Sequence, residues 1–275
     1  MKQKPIDSDW RNIPDLALEV IGSGEPIWLL HGQISSHRYW RQVTAMLEKK
    51  HKLFLPDLLG FGDSPKPEDV AYDINTHTVA IKACMDKQGM NRPVTLVGHS
   101  MGAQIAIRLA LKYPDLVDKL VLSGLPLMPK EMEYKHLGSE FPGLKRFLHG
   151  SLARASCHWH VRHQKLVARI IRHLPGVGAK GYDKTLLHDA FQHTWKSYSE
   201  SMDLVVIGYD SASDLKALGL PIHIVIGELD KISSEVPAMV KRLAKSNISL
   251  QLVPEAHHNL PLHHPEIVAN AILSV

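Results

Sequence analysis

Six short apolar runs, each only long enough for a strand, punctuate the chain at residues 27–30, 53–55, 94–97, 120–122, 222–226 and 250–253. They are rich in Ile, Val and Leu and bounded by turn residues. Between them lie stretches whose apolar residues recur every three or four positions. Parallel strands buried on both faces and joined by helices read this way. Helices are predicted over 40–49, 74–87, 101–112 and 234–244, with a last one beginning near Pro265. Residues 16–21 alternate ahead of Gly22, Ser23 and Gly24, which predicts an antiparallel hairpin entering the sheet at Ile27. The expected fold class is therefore α/β, a mostly parallel central sheet flanked by helices, with an antiparallel edge.

The strand rhythm stops over residues 126–203. Helical periodicity takes over there and is interrupted at Pro129, Pro142, Gly143, Pro175, Gly176 and Gly178, so a helical insertion between two strands is expected. The insertion also holds the charge asymmetry. It carries 12 Lys or Arg against 7 Asp or Glu and 8 of the 18 histidines, which leaves the remainder close to neutral although the whole chain is +4.

Within the insertion, residues 151–174 mix Leu152, Trp159, Val161, Leu166, Val167, Ile170, Ile171 and Leu174 with Arg154, Arg162, Lys165, Arg169 and Arg172. Such a helix suits an anionic membrane surface or a partner; the preferred expectation is an apolar face packed on the rest of the protein and a solvated basic face. His158, His160 and His163 are spaced for a metal but lack an acidic ligand, so they are read as solvated or packed.

Several classes are excluded by what the chain lacks. No run reaches the roughly 18 to 20 apolar residues of a spanning helix. Residues 1–10 hold no apolar core of a secretory signal, so a cytoplasmic protein is expected. Two cysteines, Cys84 and Cys157, make no disulfide framework. The basic balance comes without an aromatic RNA-binding motif, zinc-finger spacing or continuous basic arm, so no nucleic-acid partner is expected.

The chemistry is concentrated at Gly98, His99, Ser100, Met101 and Gly102, directly after the strand at 94–97 and directly before the helix at 101–112. This is G-x-S-x-G in the strand-turn-helix setting of a nucleophile elbow. A serine on so sharp a turn is strained, and glycines two residues to either side let strand and helix approach. The helix start also directs unpaired N–H groups and a positive dipole end at charge developing on a carbonyl oxygen. A hydroxyl nucleophile needs a base to take its proton and an acid to orient that base. Asp230 follows the strand at 222–226, where a parallel strand delivers its loop to the same sheet edge as Ser100. Glu228 is the competing carboxylate. After the final strand, His257 and His258 are the candidate bases.

With these residues in place the chain resembles the α/β-hydrolase family, over nearly its whole length outside the insertion. The resemblance implies the α/β-hydrolase fold, with a core of residues 1–125 and 204–275 and a helical cap, or lid, at 126–203 that shapes an acyl pocket. In the family a Pro-Glu follows the catalytic histidine by about seven residues; Pro265 and Glu266 therefore select His258, leaving His257 where a glycine is usual. The His31-Gly32 pair implies that the backbone N–H of Gln33 is one oxyanion donor and that of Met101 the other. Asp57, Gly60, Gly62 and Ser64 match the family's D-x-x-G-x-G-x-S turn and are taken as scaffolding, and His223 as a hydrogen-bonded core histidine.

Ser100 argues against those relatives that use aspartate as nucleophile, the epoxide hydrolases and haloalkane dehalogenases. The expected activity is hydrolysis of a carboxylic ester or related acyl compound, a small molecule, by a Ser100-His258-Asp230 triad, with no metal or organic cofactor. Carbon–carbon bond hydrolysis and cofactor-free haloperoxidase chemistry use the same triad and stay open. So does a ligand-binding receptor with slow chemistry.

Overall fold

The computed structural model describes residues 13–90, 92–127 and 184–274, together with positions 155, 159, 162, 163 and 166. Seven strands form one sheet: β1 (Leu18–Gly22), β2 (Glu25–Leu30), β3 (His51–Pro56), β4 (Val94–His99), β5 (Val117–Ser123), β6 (Ile222–Gly227) and β7 (Ile248–Val253). Their order is β1-β3-β2-β4-β5-β6-β7, and every pairing except β1 with β3 is parallel. All six apolar runs of the sequence lie inside these strands.

The period-two alternation of the strands sorts their side chains onto two faces. Trp28, Leu30, Phe54, Leu96, Leu122 and Ile224 join one core; Ile27, Leu29, Leu55, Val97, Val121 and Val225 join the other. The first face is covered by α2 (Ile74–Lys87) and α3 (Met101–Lys112), the second by α1 (Arg41–Leu47), which continues a 3-10 turn at His37–Trp40. At the centre Trp28 stacks on Phe54 with ring centroids 4.8 Å apart. Each fully buried aliphatic or aromatic side chain contributes about 1.5–3 kcal/mol of transfer free energy.

The expected hairpin differs in its pairing. β1 does turn back into β2, but its antiparallel partner is β3, so β3 lies between them. Gly22 and Gly24 adopt φ of +74° and +118°, and a Cβ on either would stand 2.3 or 2.2 Å from the carbonyl oxygen of His51 or Lys50. The turn is pressed onto the backbone entering β3 and steps over it, which only glycine allows.

Between β5 and β6 the described regular elements are all helical: α4 (Lys184–Asp189), α5 (Trp195–Ser201), a π-helical segment (Met202–Ile207) and α6 (Ser211–Ala217). The rest of the expected insertion, with His158 and His160, lies outside the described residues. Trp159 and Leu166 are described, and each keeps 47% exposure, so these two are not packed down as expected of the apolar face. The C-terminal part adds α7 (Val236–Leu243), α8 (Leu260–His263) and α9 (Pro265–Leu273). Among the described residues no helix is long and apolar enough to cross a membrane.

Candidate active site

The parallel strands carry their C-terminal ends to one edge, and every candidate residue sits there. Ser100 follows β4 with φ +53° and ψ −123°, a region that L-residues rarely occupy and that stores strain. The turn is possible because of its glycines. A Cβ on Gly98 would lie 2.4 Å from the Gly102 oxygen, and one on Gly102 would lie 2.3 Å from the Leu30 oxygen. Strand β4, helix α3 and the end of β2 thus meet backbone to backbone. The Ser100 N–H donates to the Ser123 oxygen at 3.0 Å, tying the elbow to the end of β5.

Asp230 is buried after β6 and is fully engaged. Oδ1 accepts from the Ile232 N–H at 2.9 Å and the Ser233 N–H at 3.4 Å; Oδ2 accepts from the Ser233 hydroxyl at 2.7 Å and lies 2.8 Å from His258 Nδ1. Burial pushes this carboxyl up. The facing His258, the Ser233 hydroxyl and the Ile232 N–H outweigh that, and the net displacement is below the ordinary carboxylate range. His257 and Glu228 are exposed, and Glu228 is occupied with the Glu255 N–H. The structure therefore brings His258, not His257, onto Asp230, and leaves Glu228 outside.

His258 leans on the ring of His99 at a centroid distance of 4.9 Å and passes so close to Gly124 (φ +57°) that a Cβ there would stand 3.1 Å from it. Both residues thus meet the end of β5, Ser100 through its N–H to the Ser123 oxygen and His258 against Gly124. Among the described residues no hydrogen bond joins the Ser100 hydroxyl to His258, whose ring hydrogen bond is the one to Asp230.

Gln33 and Met101 lie beside the elbow. A Cβ on Gly32 would stand 3.1 Å from Ser100 Cβ, so the turn after β2 is in contact with the serine. Met101 is the first residue of α3, where a backbone N–H has no partner within the helix. His31 is consumed by the turn: Nδ1 is 2.7 Å from the Gly32 oxygen, and Nε2 accepts the Leu58 N–H at 2.9 Å.

This arrangement matches a known family. A family model described as serine aminopeptidase, S33 (Hydrolase_4) matches residues 25–264. The chain belongs to this α/β-hydrolase family. The chain is 27% identical over 253 residues to a probable lysophospholipase, BODYGUARD 4, of Arabidopsis thaliana, a match covering 86% of this chain and 60% of that protein. It is 30% identical over 110 residues to 2-hydroxy-6-oxo-2,4-heptadienoate hydrolase of Pseudomonas putida, covering 39% of this chain and 40% of that one. These matches span 60% or less of the curated relatives' own length. Among solved structures, a thermophilic esterase from Thermogutta terrifontis superposes with a TM-score of 0.67 at 25% identity, covering 94% of this chain and 92% of that one.

Tyr39, Asn259 and Ser233, which line the candidate site, are not singled out by the sequence. Tyr39 stacks on His99 at 4.9 Å, with its hydroxyl 2.9 Å from His99 Nε2 and donating to Asn259 Oδ1 at 3.1 Å. Burial, and next the adjacent His258, hold His99 well below the ordinary imidazole range, so it is a neutral wall of the site. Ser233 had a local signal, since an Asp followed three residues later by Ser is the spacing of a side-chain-closed turn.

The D-x-x-G-x-G-x-S turn is closed on itself. Asp57 accepts from the His37 N–H at 2.5 Å and the Asp63 N–H at 2.6 Å, and lies 2.9 Å from His37 Nδ1. His37, Asp57 and Asp63 have ligand-type atoms within 4.8 Å of one another, but these hydrogen bonds already occupy both Asp57 oxygens. His223 is hydrogen-bonded to Ser249 at 2.6 Å, yet it is half-buried rather than in the core, because β7 beside it is the sheet edge.

Proposed function

We propose that this hydrolase cleaves a carboxylic ester through a Ser100-His258-Asp230 triad. The observation that carries the reading is the strained, glycine-framed Ser100 at the same sheet edge as the 2.8 Å Asp230–His258 pair. Ser100 Oγ attacks the carbonyl carbon while His258 Nε2 takes its proton. The N–H groups of Gln33 and Met101 hold the oxyanion. The C–O bond to the leaving group breaks as His258 returns the proton to it, and water, deprotonated by His258, releases the acid from Ser100. Ionised Asp230 keeps the Nδ1 proton in place and stabilises the imidazolium. Residues 126–203 act as the cap over this edge and set which acyl chain enters. Similarity to an esterase and to a probable lysophospholipase favours an ester.

A second reading is carbon–carbon bond hydrolysis, favoured by 30% identity over 110 residues to 2-hydroxy-6-oxo-2,4-heptadienoate hydrolase. The test is fluorophosphonate labelling together with turnover of p-nitrophenyl esters of graded chain length and of a vinylogous 1,5-diketone. Ester turnover that is lost in Ser100→Ala and His258→Ala but kept in His257→Ala supports the proposal. Turnover of the diketone alone selects the second reading, and an active Ser100→Ala variant overturns both.

A further inference from the structure

The segment that carries the Gln33 N–H is held from outside at both ends, and both holds come from the described helices between β5 and β6. At its start, Gln33 Nε2 donates to the Tyr198 oxygen of α5 at 2.7 Å. At its end, the buried carboxylate of Asp189, the last residue of α4, accepts from the Ser36 hydroxyl at 2.6 Å and from Arg38 Nη1 at 3.1 and 3.2 Å. The same Ser36 oxygen accepts the Arg38 N–H at 3.2 Å and caps the 3-10 turn at His37–Trp40. Arg38 reaches on to Asp63 at 2.8 Å.

Between the two anchors lies Ile34, with φ +51° and 42% exposure. A β-branched residue in the left-handed region costs on the order of 1–3 kcal/mol and stays there only where its surroundings over-determine it. An exposed side chain supplies no such restraint. The restraint is the pair of anchors on either side. Other polar contacts from the same helices land elsewhere: Ser197 Oγ on the Gly60 oxygen, Lys196 Nζ on the Glu68 and Val70 oxygens, and Glu200 on the Tyr72 N–H.

We propose that Asp189 is a positioning residue for the oxyanion hole. Its charge-assisted bonds to Ser36 and Arg38 hold Ile34 in its strained conformation and so fix the direction of the Gln33 N–H, which makes transition-state stabilisation conditional on α4 being seated. The inference rests on the reading of Gln33 as an oxyanion donor.

The test compares Asp189→Ala and Asp189→Asn with Glu200→Gln, which loosens the same helices at a point away from segment 33–38. Turnover of p-nitrophenyl butyrate is normalised to sites titrated with a fluorophosphonate. Affinity for a trifluoromethyl ketone, which forms an oxyanion on Ser100, is measured alongside. Asp189→Ala is expected to lower kcat about thirtyfold with KM within about threefold, and to weaken the ketone by a similar factor, as misplacement of a reacting group by an ångström can cost about a hundredfold. Asp189→Asn keeps an acceptor for Ser36 and should recover part of the loss, and it carries the test if the alanine variant does not fold. Glu200→Gln should stay within about threefold of the parent kcat. Normal kcat and ketone affinity in folded Asp189 variants overturn the proposal, as does an equal loss in Glu200→Gln. A parent enzyme that is neither labelled nor active removes the serine-hydrolase reading and this proposal with it; a labelled, active parent with normal Asp189 variants removes this proposal alone.

Discussion

Asp230→Asn isolates the electrostatic role of the acid from its packing. Oδ1 of Asp230 accepts two backbone N–H groups, from Ile232 and Ser233, which fixes how an asparagine can be seated. Its carbonyl oxygen must face those donors, because the reverse orientation sets an NH2 group against two N–H groups. The NH2 then takes the place of Oδ2, facing the Ser233 hydroxyl at 2.7 Å and His258 Nδ1 at 2.8 Å. The hydroxyl can rotate to accept. His258 Nδ1 must accept as well, so the ring proton moves to Nε2, the nitrogen that has to take the Ser100 proton. The base is blocked with the hydrogen-bond count unchanged. In serine protease triads the same change costs about 10⁴ in kcat, or roughly 5.5 kcal/mol at ~1.4 kcal/mol per decade. Steady-state turnover of a p-nitrophenyl ester should fall by about that factor, fluorophosphonate labelling should slow in parallel, and the thermal midpoint should stay close to the parent's. Nitrogen NMR of labelled histidine should report the Nε2–H form for His258 at neutral pH. A kcat within about tenfold of the parent would refute the reasoning, because the orientation of the asparagine follows directly from the four donors around Asp230.

Two further expectations concern the scaffold. Gly102→Ala places a methyl group 2.3 Å from the Leu30 oxygen and 2.5 Å from the His31 oxygen, backbone atoms that cannot rotate away. It should cost about 3 kcal/mol in urea unfolding, whereas Gly219→Ala, with nothing within 4 Å, should be close to neutral; equal effects would contradict this packing account. His77 is buried, 3.1 Å from the Ser201 hydroxyl through Nε2, and burial pushes its pKa down to about 3. Because the folded value lies below the unfolded one near 6.5, the unfolded chain takes up the proton first. Stability therefore falls as pH drops from about 6.5 towards 3, at ~1.4 kcal/mol per pH unit for this site. In His77→Gln, the loss between pH 7.5 and 5 should be smaller by about 2 kcal/mol, measured from urea midpoints; the same pH dependence in both proteins would rule out a neutral buried His77.

The strands were legible because burial on both faces leaves continuous Ile, Val and Leu, a pattern that survives without knowledge of neighbours. The partner of β1 was not. Gly22 and Gly24 announce a turn, and a turn ahead of a strand reads as a hairpin, but the choice between β2 and β3 is made by the backbone of residues 48–51 against those glycines. The same division runs through the site. Ser100 is defined by residues within two positions of it, and Asp230 and His258 by their places after β6 and β7. The His99-Tyr39-Asn259 wall joins residues 60 and 220 positions apart through a single hydroxyl, and although His99 lies in the elbow motif nothing local marks Tyr39 as its partner.

The helices between β5 and β6 resist reading for a more general reason. They are seated on the core largely through main-chain carbonyls: the oxygens of Gly60, Glu68 and Val70 receive Ser197 and Lys196, and the Tyr198 oxygen receives Gln33. A carbonyl is present at every position, so such a contact leaves only one of its two partners written in the sequence. Asp189 differs, because both sides of its contact are side chains and it is a buried carboxylate with two donors, the Ser36 hydroxyl and Arg38 Nη1, the latter facing both of its oxygens. Removing this carboxylate leaves the buried Ser36 hydroxyl without its acceptor, while Arg38 keeps its bond to Asp63. The Asp189 contact reaches the segment bearing the Gln33 N–H, whereas other side-chain contacts from these helices, Ser201 with His77 and Asp214 with Arg108, land elsewhere, so under the proposed mechanism it is Asp189 that ties the seating of α4 to the oxyanion site.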